Sequence, residues 1–166
     1  MDAAVPEAFI HSPPGSILET CPAASGIVFE IAGRLAEQGG TMLIIDYGYL
    51  EDQLGSSLQA VSGHEKVDPF ADPGERDLTA HINFAELSKM ALARGAEVHG
   101  PVNQGDFLTN LGIKERADVL TRSAPDQAQI ISDGLDRLIS PAQMGELFKV
   151  MAICSSRWQA PEGFAT

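Results

Sequence analysis

The sequence predicts an α/β fold, and three observations carry that expectation. A helical stripe ends at a double glycine, an apolar run follows at once and stops at an acid, and the remaining segments alternate between helix-like and strand-like spacing. With 166 residues, 44% apolar and 20% charged, the chain suits one globular domain large enough to bury a core.

The opening stretch, Val5 to Pro22, mixes Pro6, Pro13, Pro14 and Gly15 with short apolar groups. It predicts an extended segment or a hairpin around the Pro-Pro-Gly turn. From Ala23 the spacing becomes helical, with Ile27, Val28, Ile31 and Leu35 on one face and Gly39-Gly40 as the stop. Thr41 to Asp46 then reads as a strand buried on both faces of a parallel sheet, because its apolar run is continuous. Residues 47–82 hold Gly48, Gly55, Gly63, Pro69, Pro73 and Gly74 without periodicity, and a loop of that length usually carries function. Asn83 and Glu86 form a capping box for a second helix, whose buried stripe is Phe84, Leu87, Ala91 and Leu92 and whose stop is Gly95. Ala96 to Pro101 can form a short strand. Gly105 to Leu138 reads as two or three small helices with Phe107, Leu111, Leu120, Ile130, Ile131, Leu135 and Leu138 turned inward. A turn of helix at Pro141 to Met144 precedes a last central strand within Gly145 to Ser155. Three strands are few for a doubly wound sheet, and the first would leave an edge without a partner, so part of a sheet is expected to be missing.

Charge excludes several functions. Lys and Arg total 11 against 23 Asp and Glu, and residues 1 to 65 carry nine acids and the single base Arg34. Such a surface repels phosphate, which disfavours nucleic acid as the primary partner. The lack of bases before Arg34 removes the signature of a secretory signal or transit peptide, so a cytoplasmic, bacterial-type location is expected. No apolar run approaches the roughly 20 residues of a membrane helix. Cys21 and Cys154 form no metal spacing and read as small core residues.

Ligands of open α/β sheets gather beyond the carboxyl ends of strands, where Asp46-Tyr47-Gly48-Tyr49 falls. Asp46 could face a ligand there, with Gly48 allowing close backbone approach; equally, Asp46 could accept turn hydrogen bonds while the tyrosines close the core. Asp77-Leu-Thr-Ala-His81 brings a carboxylate, a hydroxyl and an imidazole to the start of a capped helix, which favours anions. His64, Asp68, Asp77 and His81 have metal-compatible ligand types, but their spacing matches no metal motif. Ser56, Ser57 and Ser62 lack a nucleophile-elbow sequence, and His11 and His99 read as surface or core residues. Neither a Gly-x-Gly-x-x-Gly fingerprint nor a Walker loop occurs.

The run Leu35-Ala-Glu-Gln-Gly-Gly-Thr-Met-Leu-Ile-Ile-Asp-Tyr-Gly48 resembles the helix and fifth strand of Rossmann-like methyltransferases. Further motifs narrow the likeness: Leu58-Gln-Ala-Val-Ser-Gly-His64, Asp68-Pro-Phe-Ala-Asp-Pro-Gly74, Asp77-Leu-Thr-Ala-His81, Gln104-Gly-Asp-Phe-Leu108 with Leu111-Gly-Ile113, and Met144-Gly-Glu-Leu-Phe-Lys149. Together these resemble the MidA family of S-adenosylmethionine-dependent methyltransferases, and the likeness runs from about Pro14 to Phe164. The resemblance implies the carboxyl-terminal half of a Rossmann-like class I fold: strand five at 41–46, strand six near 96–101, and an antiparallel strand seven at 146–155 inserted between them. Residues 1–166 would then be one partial domain, with 1–22 extended and 47–82 the functional loop. The glycine-rich cofactor loop and the ribose-binding acid belong to an earlier segment that this sequence lacks, leaving the cofactor-binding residues unassigned. Asn83 stands where many relatives are expected to carry an acid, and either residue caps a helix.

In that family, mitochondrial members assist respiratory complex I assembly by symmetric dimethylation of a protein arginine. The resemblance therefore implies S-adenosylmethionine as cofactor, a protein substrate with a basic or arginine-containing site, and a missing amino-terminal half or complementing chain. A guanidinium suits carboxylates, so Asp46, Asp77 and Glu19 are candidates to orient it and His81 to accept its proton. Tyr47, Thr79 and Gln104 are candidates to line the same cleft. Two other functions compete. A non-catalytic acidic module would bind a basic partner without cofactor, and a metal-dependent hydrolase would use His64, Asp68, Asp77 and His81.

Overall fold

The computed structural model describes residues 5–63 and 65–164. Helix α1 (Pro22–Gln38) starts with proline at its first position, which costs no hydrogen bond there. It ends where Gly39, at φ 85°, donates its N–H to the Leu35 carbonyl at 2.8 Å. Strand β1 (Thr41–Tyr49) follows directly. Residues 50–81 leave the main sheet and return. Within them β2 (Gln59–Ser62), β3 (Glu65–Val67) and β4 (Asp77–Thr79) form an antiparallel sheet of order β3-β2-β4. The two-residue β5 (Ile82–Asn83) leads into α2 (Phe84–Ala93), then β6 (Glu97–Asn103), α3 (Gln104–Asn110), α4 (Ile113–Ser123), α5 (Ala128–Ile139), α6 (Met144–Leu147) and β7 (Phe148–Cys154).

The main sheet has the order β5-β1-β7-β6. As the family resemblance implied, β7 lies between β1 and β6 and is antiparallel to both, in a register from Thr41 opposite Cys154 to Tyr47 opposite Phe148. Pairing of β1 with β5 is parallel and covers only Gly48 and Tyr49, so among the described residues most of that β1 edge has no strand beside it. One face of the sheet is closed by α1 and α2. Val28 and Ala32 of α1 and Phe84, Leu87 and Ala91 of α2 meet Met151 and Ile153 of β7 in one buried cluster, with Met42 and Ile44 against it. Burying a side chain such as Phe84 contributes about 1.5–3 kcal/mol.

The other face corrects the expectation for β1. Leu43 and Ile45 are 49% and 48% exposed, so the strand is covered on one side rather than two, and its neighbours are mainly antiparallel. A continuous apolar run reads the same whether or not the second face is covered. Similar corrections apply to Ile27 and Leu92, which face outward from α1 and α2. In α4 and α5 they apply to Leu120, to Ile130 at 72% exposure and to Leu138, and just before α4 to Leu111. That pair of helices packs on α3 and on each other, so few of its apolar groups reach the main core. Cys21 is exposed, unlike Cys154. The opening segment is extended with a Pro13–Ser16 turn and a 3-10 turn at Glu7–Phe9, not a hairpin. The last strand starts at Phe148, since Met144–Leu147 takes the helical turn expected earlier, and β6 runs on to Asn103 through an irregularity between His99 and Val102.

Candidate functional site

A cavity of about 700 Å³ opens beyond the carboxyl end of β1, between the segment leading into α1, the chain that follows β1, and the start of α2. Leu18, Pro22, Leu58, Ile82 and Leu87 supply its apolar walls, and Glu19, Tyr49, Asp52, His81, Asn83 and Glu86 its polar groups.

Glu19 is fastened by the loop. Its Oε1 accepts the Ser57 N–H at 2.8 Å and the Ser56 hydroxyl at 3.1 Å, and its Oε2 accepts the Ser57 hydroxyl at 2.5 Å. Burial is the largest single influence and raises its pKa, but the hydroxyl and backbone N–H of Ser57, with help from Ser56 and Leu58, outweigh it and hold the carboxyl below its usual range. The Ser57 Oγ in turn accepts the His81 backbone N–H at 2.8 Å, so one hydroxyl ties Glu19 to the strand entering the cavity wall.

Asp52 is held from the other side. Asn83 Nδ2 donates to Oδ1 at 2.6 Å and Lys89 Nζ to Oδ2 at 3.0 Å, and these bonds keep its carboxyl ionised below the ordinary value. Asn83 also caps α2, its Oδ1 accepting the Glu86 N–H at 3.1 Å. Tyr49 stands near both acids. Its burial, and then the charges of Glu19 and Asp52, push its hydroxyl above the usual range, so it stays a proton donor.

Of the residues singled out from sequence, Glu19 and His81 line this cavity. Tyr47 is next to it, its ring 6.3 Å from that of His81 and nearly parallel, and 4.1 Å from that of Phe148. Gln59 Nε2 lies 3.4 Å from His81 Nε2. The others are placed elsewhere. Asp46 accepts the Tyr47 N–H at 2.7 Å and sits opposite Lys149, whose burial pushes its amine below the usual range against the pull of Glu146. Asp77 is exposed on β4 and Thr79 pairs with Gln59. Gln104 is buried and donates to the Leu138 carbonyl at 2.9 Å. Asp52 went unread in the sequence, and Tyr49, Ser57 and Glu86 were read there for other roles, because only the folded loop brings them to the cavity with Glu19. A second hollow of about 500 Å³, lined by Asp106, Lys114 and Asp136 among others, holds none of the sequence candidates.

Gly48 bears on a cofactor. A Cβ added there would meet the Ile82 carbonyl oxygen at 2.4 Å and the Phe84 ring at 2.6 Å, so this glycine fits neighbouring backbone and ring, not a ligand. The residues lining the cavity include no glycine, and so do not fit the glycine-rich cradle of an adenosyl cofactor. Among the described residues no three His, Cys, Asp or Glu are grouped to hold a metal ion; His64 lies outside them.

Comparison with known proteins gives this geometry a family. The model of a family described as "Putative S-adenosyl-L-methionine-dependent methyltransferase" matches residues 1–102. The chain is 39% identical over 138 residues to the mouse mitochondrial protein arginine methyltransferase NDUFAF7, covering 82% of this chain and 31% of that protein. To the human protein of the same name it is 36% identical over 150 residues, covering 89% and 34%. A solved structure from Burkholderia thailandensis, described as a "likely methyl transferase" and bound to S-adenosyl-homocysteine, superposes with a TM-score of 0.76 at 30% identity. That match covers 88% of this chain and 39% of the other. The chain thus spans about a third of the length of the curated relatives it matches. Both of those relatives are named as mitochondrial, which overturns the expectation of a cytoplasmic, bacterial-type location. That expectation rested on the few bases near residue 1, which inform about a leader only where residue 1 begins the protein, and a match to one third of longer relatives removes the premise. With the family model covering 102 of the 166 residues, the chain belongs to this family of S-adenosyl-L-methionine-dependent methyltransferases.

Proposed function

We propose that the chain is the substrate-side part of a protein arginine methyltransferase, one partial domain whose strands β1, β6 and β7 are the fifth, sixth and seventh of the family sheet. The observation that carries this reading is the composition of the cavity: three carboxylates and a histidine, with Glu19 and Asp52 both held ionised. A guanidinium is always charged and presents five N–H donors in a fixed fork, so ionised carboxylates on two sides of a half-apolar cavity orient it. Asp52 keeps acceptor sites beyond Asn83 and Lys89, Glu86 adds a second acceptor, and Glu19, whose oxygens are taken up by Ser56, Ser57 and Leu58, contributes its charge. The attacking nitrogen must lose a proton, and His81 is the group in the cavity suited to take it. S-adenosylmethionine, when bound, supplies the electrophilic methyl group; its glycine-rich loop is expected in another part of the whole protein or in a complementing chain. The symmetric dimethylation and complex I assembly implied by the family resemblance belong to that whole protein.

The test is a calorimetric titration of the chain with S-adenosylmethionine, alone and then mixed with the amino-terminal part of a full-length relative, followed by turnover of arginine peptides. Binding and turnover only in the mixture support the reading. Absence of both in the mixture overturns it and favours an acidic interaction module without cofactor.

A further inference from the structure

The small sheet beside the cavity has an unused edge. Strand β4 pairs only with β2 among the described residues, so one row of its backbone N–H and C=O groups faces away from the sheet. Natural sheets blunt such edges with Lys, Pro, a covering segment or a short strand; β4, three residues long, carries Asp77 and the exposed Leu78 with neither Lys nor Pro.

The chain that leaves β4 passes through Ala80 and His81, which line the acidic cavity. The opposite edge strand, β3, contributes no residue to that cavity. Charge agrees with this path. Residues 65–77 hold Glu65, Asp68, Asp72, Glu75 and Asp77 against Lys66 and Arg76, and Arg76 is already committed to Asp72 and Ser62, each at 2.6 Å.

We propose that the β4 edge is the docking site of the polypeptide substrate, which adds to the small sheet as an extended basic strand running along Asp77–Thr79 to the cavity. The inference rests on the reading of the cavity as a guanidinium site and names how the substrate reaches it. At a rise of about 3.3 Å per residue, the edge spans about 10 Å and the cavity lies within two further residues, so the arginine sits just beyond the paired stretch. Backbone hydrogen bonds give affinity with little regard to sequence, the acids select a basic strand, and exposed Leu78 meets an apolar side chain. An RNA strand fails on charge.

The experiment titrates the 166-residue chain with a fluorescent ten-residue lysine-flanked arginine peptide, and with the same peptide N-methylated at alternate backbone positions, which keeps the charge and removes strand pairing. N-acetyl-arginine amide is titrated in parallel. The N-methylated peptide and the Asp77→Lys variant are each expected to weaken peptide binding about tenfold, and Leu78→Ala several-fold, as for loss of one anchoring group. Binding of the small arginine compound is expected to survive Leu78→Ala and to fail in Glu19→Gln. Equal binding of the N-methylated peptide, indifference to both edge substitutions, or no peptide binding at all overturns the edge proposal. Edge-dependent peptide binding without binding of the small compound leaves the edge standing and removes the cavity reading instead.

Discussion

Asn83→Asp tests how the cavity holds its charge. One side chain does two jobs at this position: the amide oxygen caps α2 and the amide nitrogen donates to Asp52 at 2.6 Å. Aspartate caps as well as asparagine and gains about 0.3–1 kcal/mol from the helix N-terminus. It cannot donate when ionised. The substitution therefore removes a hydrogen bond to a charged group, worth about 1.5–3 kcal/mol, and sets a second carboxylate against Asp52. At a separation of about 4 Å and an effective dielectric of 20, that repulsion is about 4 kcal/mol before relaxation. Lys89 at 3.0 Å and the partial exposure of Asp52 absorb much of it, leaving a net loss of about 2 kcal/mol at neutral pH. Urea unfolding followed by circular dichroism at pH 7 and again near pH 4 measures it. The deficit is expected to shrink in acid, where the pair takes up a proton, and Asn83→Ser, which keeps a cap and loses only the donor, is expected to cost less at pH 7. A variant as stable as the parent at pH 7, or a deficit unchanged by pH, would refute the reasoning.

Three more outcomes are expected. Gly48→Ala drives a methyl into the Ile82 carbonyl and the Phe84 ring, and should lower stability by about 1–3 kcal/mol in a thermal melt, whereas Gly26→Ala on the open face of α1 should not lower it. Phe84→Ala empties a fully buried site in the α1–α2–β7 cluster and should cost about 3–5 kcal/mol by urea unfolding. Glu19 and Asp52 are held below ordinary values of 4.5 and 3.8, so the unfolded chain binds protons more readily than the folded one. Their contribution is present above those values and is lost as pH falls through the lower folded ones. The urea midpoint should fall with acid over that window, and the fall should flatten in Glu19→Gln with Asp52→Asn.

Local signals survived folding where backbone chemistry is local. The Asn83 cap, the Gly39 stop of α1 and the antiparallel insertion of β7 were all legible, the last through family motifs rather than through periodicity. The face of a strand was not. Met42 and Ile44 differ from Leu43 and Ile45 only in what stands opposite them, and no spacing within the run records that. Strands β2, β3 and β4 are three or four residues long and separated by connections that hold Gly63, Pro69, Pro73 and Gly74, too short for alternation to emerge. The site divides the same way. His81 was read from the chemistry of its own segment and Glu19 through the family resemblance, but Tyr49, Asp52 and Ser57 gain meaning only when the loop folds back on residue 19, some 30 to 40 positions away. Asp46 and Gln104 carried plausible chemistry in sequence and spend it on the Tyr47 N–H and the Leu138 carbonyl.

The central claim, that the acidic cavity receives a guanidinium, is tested most directly by amide NMR of the labelled chain during titration with N-acetyl-arginine amide. Saturable shifts at Thr20, Ser57, His81 and Asn83, lost in Glu19→Gln and absent with N-acetyl-leucine amide, are the predicted result. Shifts scattered over the acidic surface, or the same shifts in the Glu19→Gln variant, would contradict it.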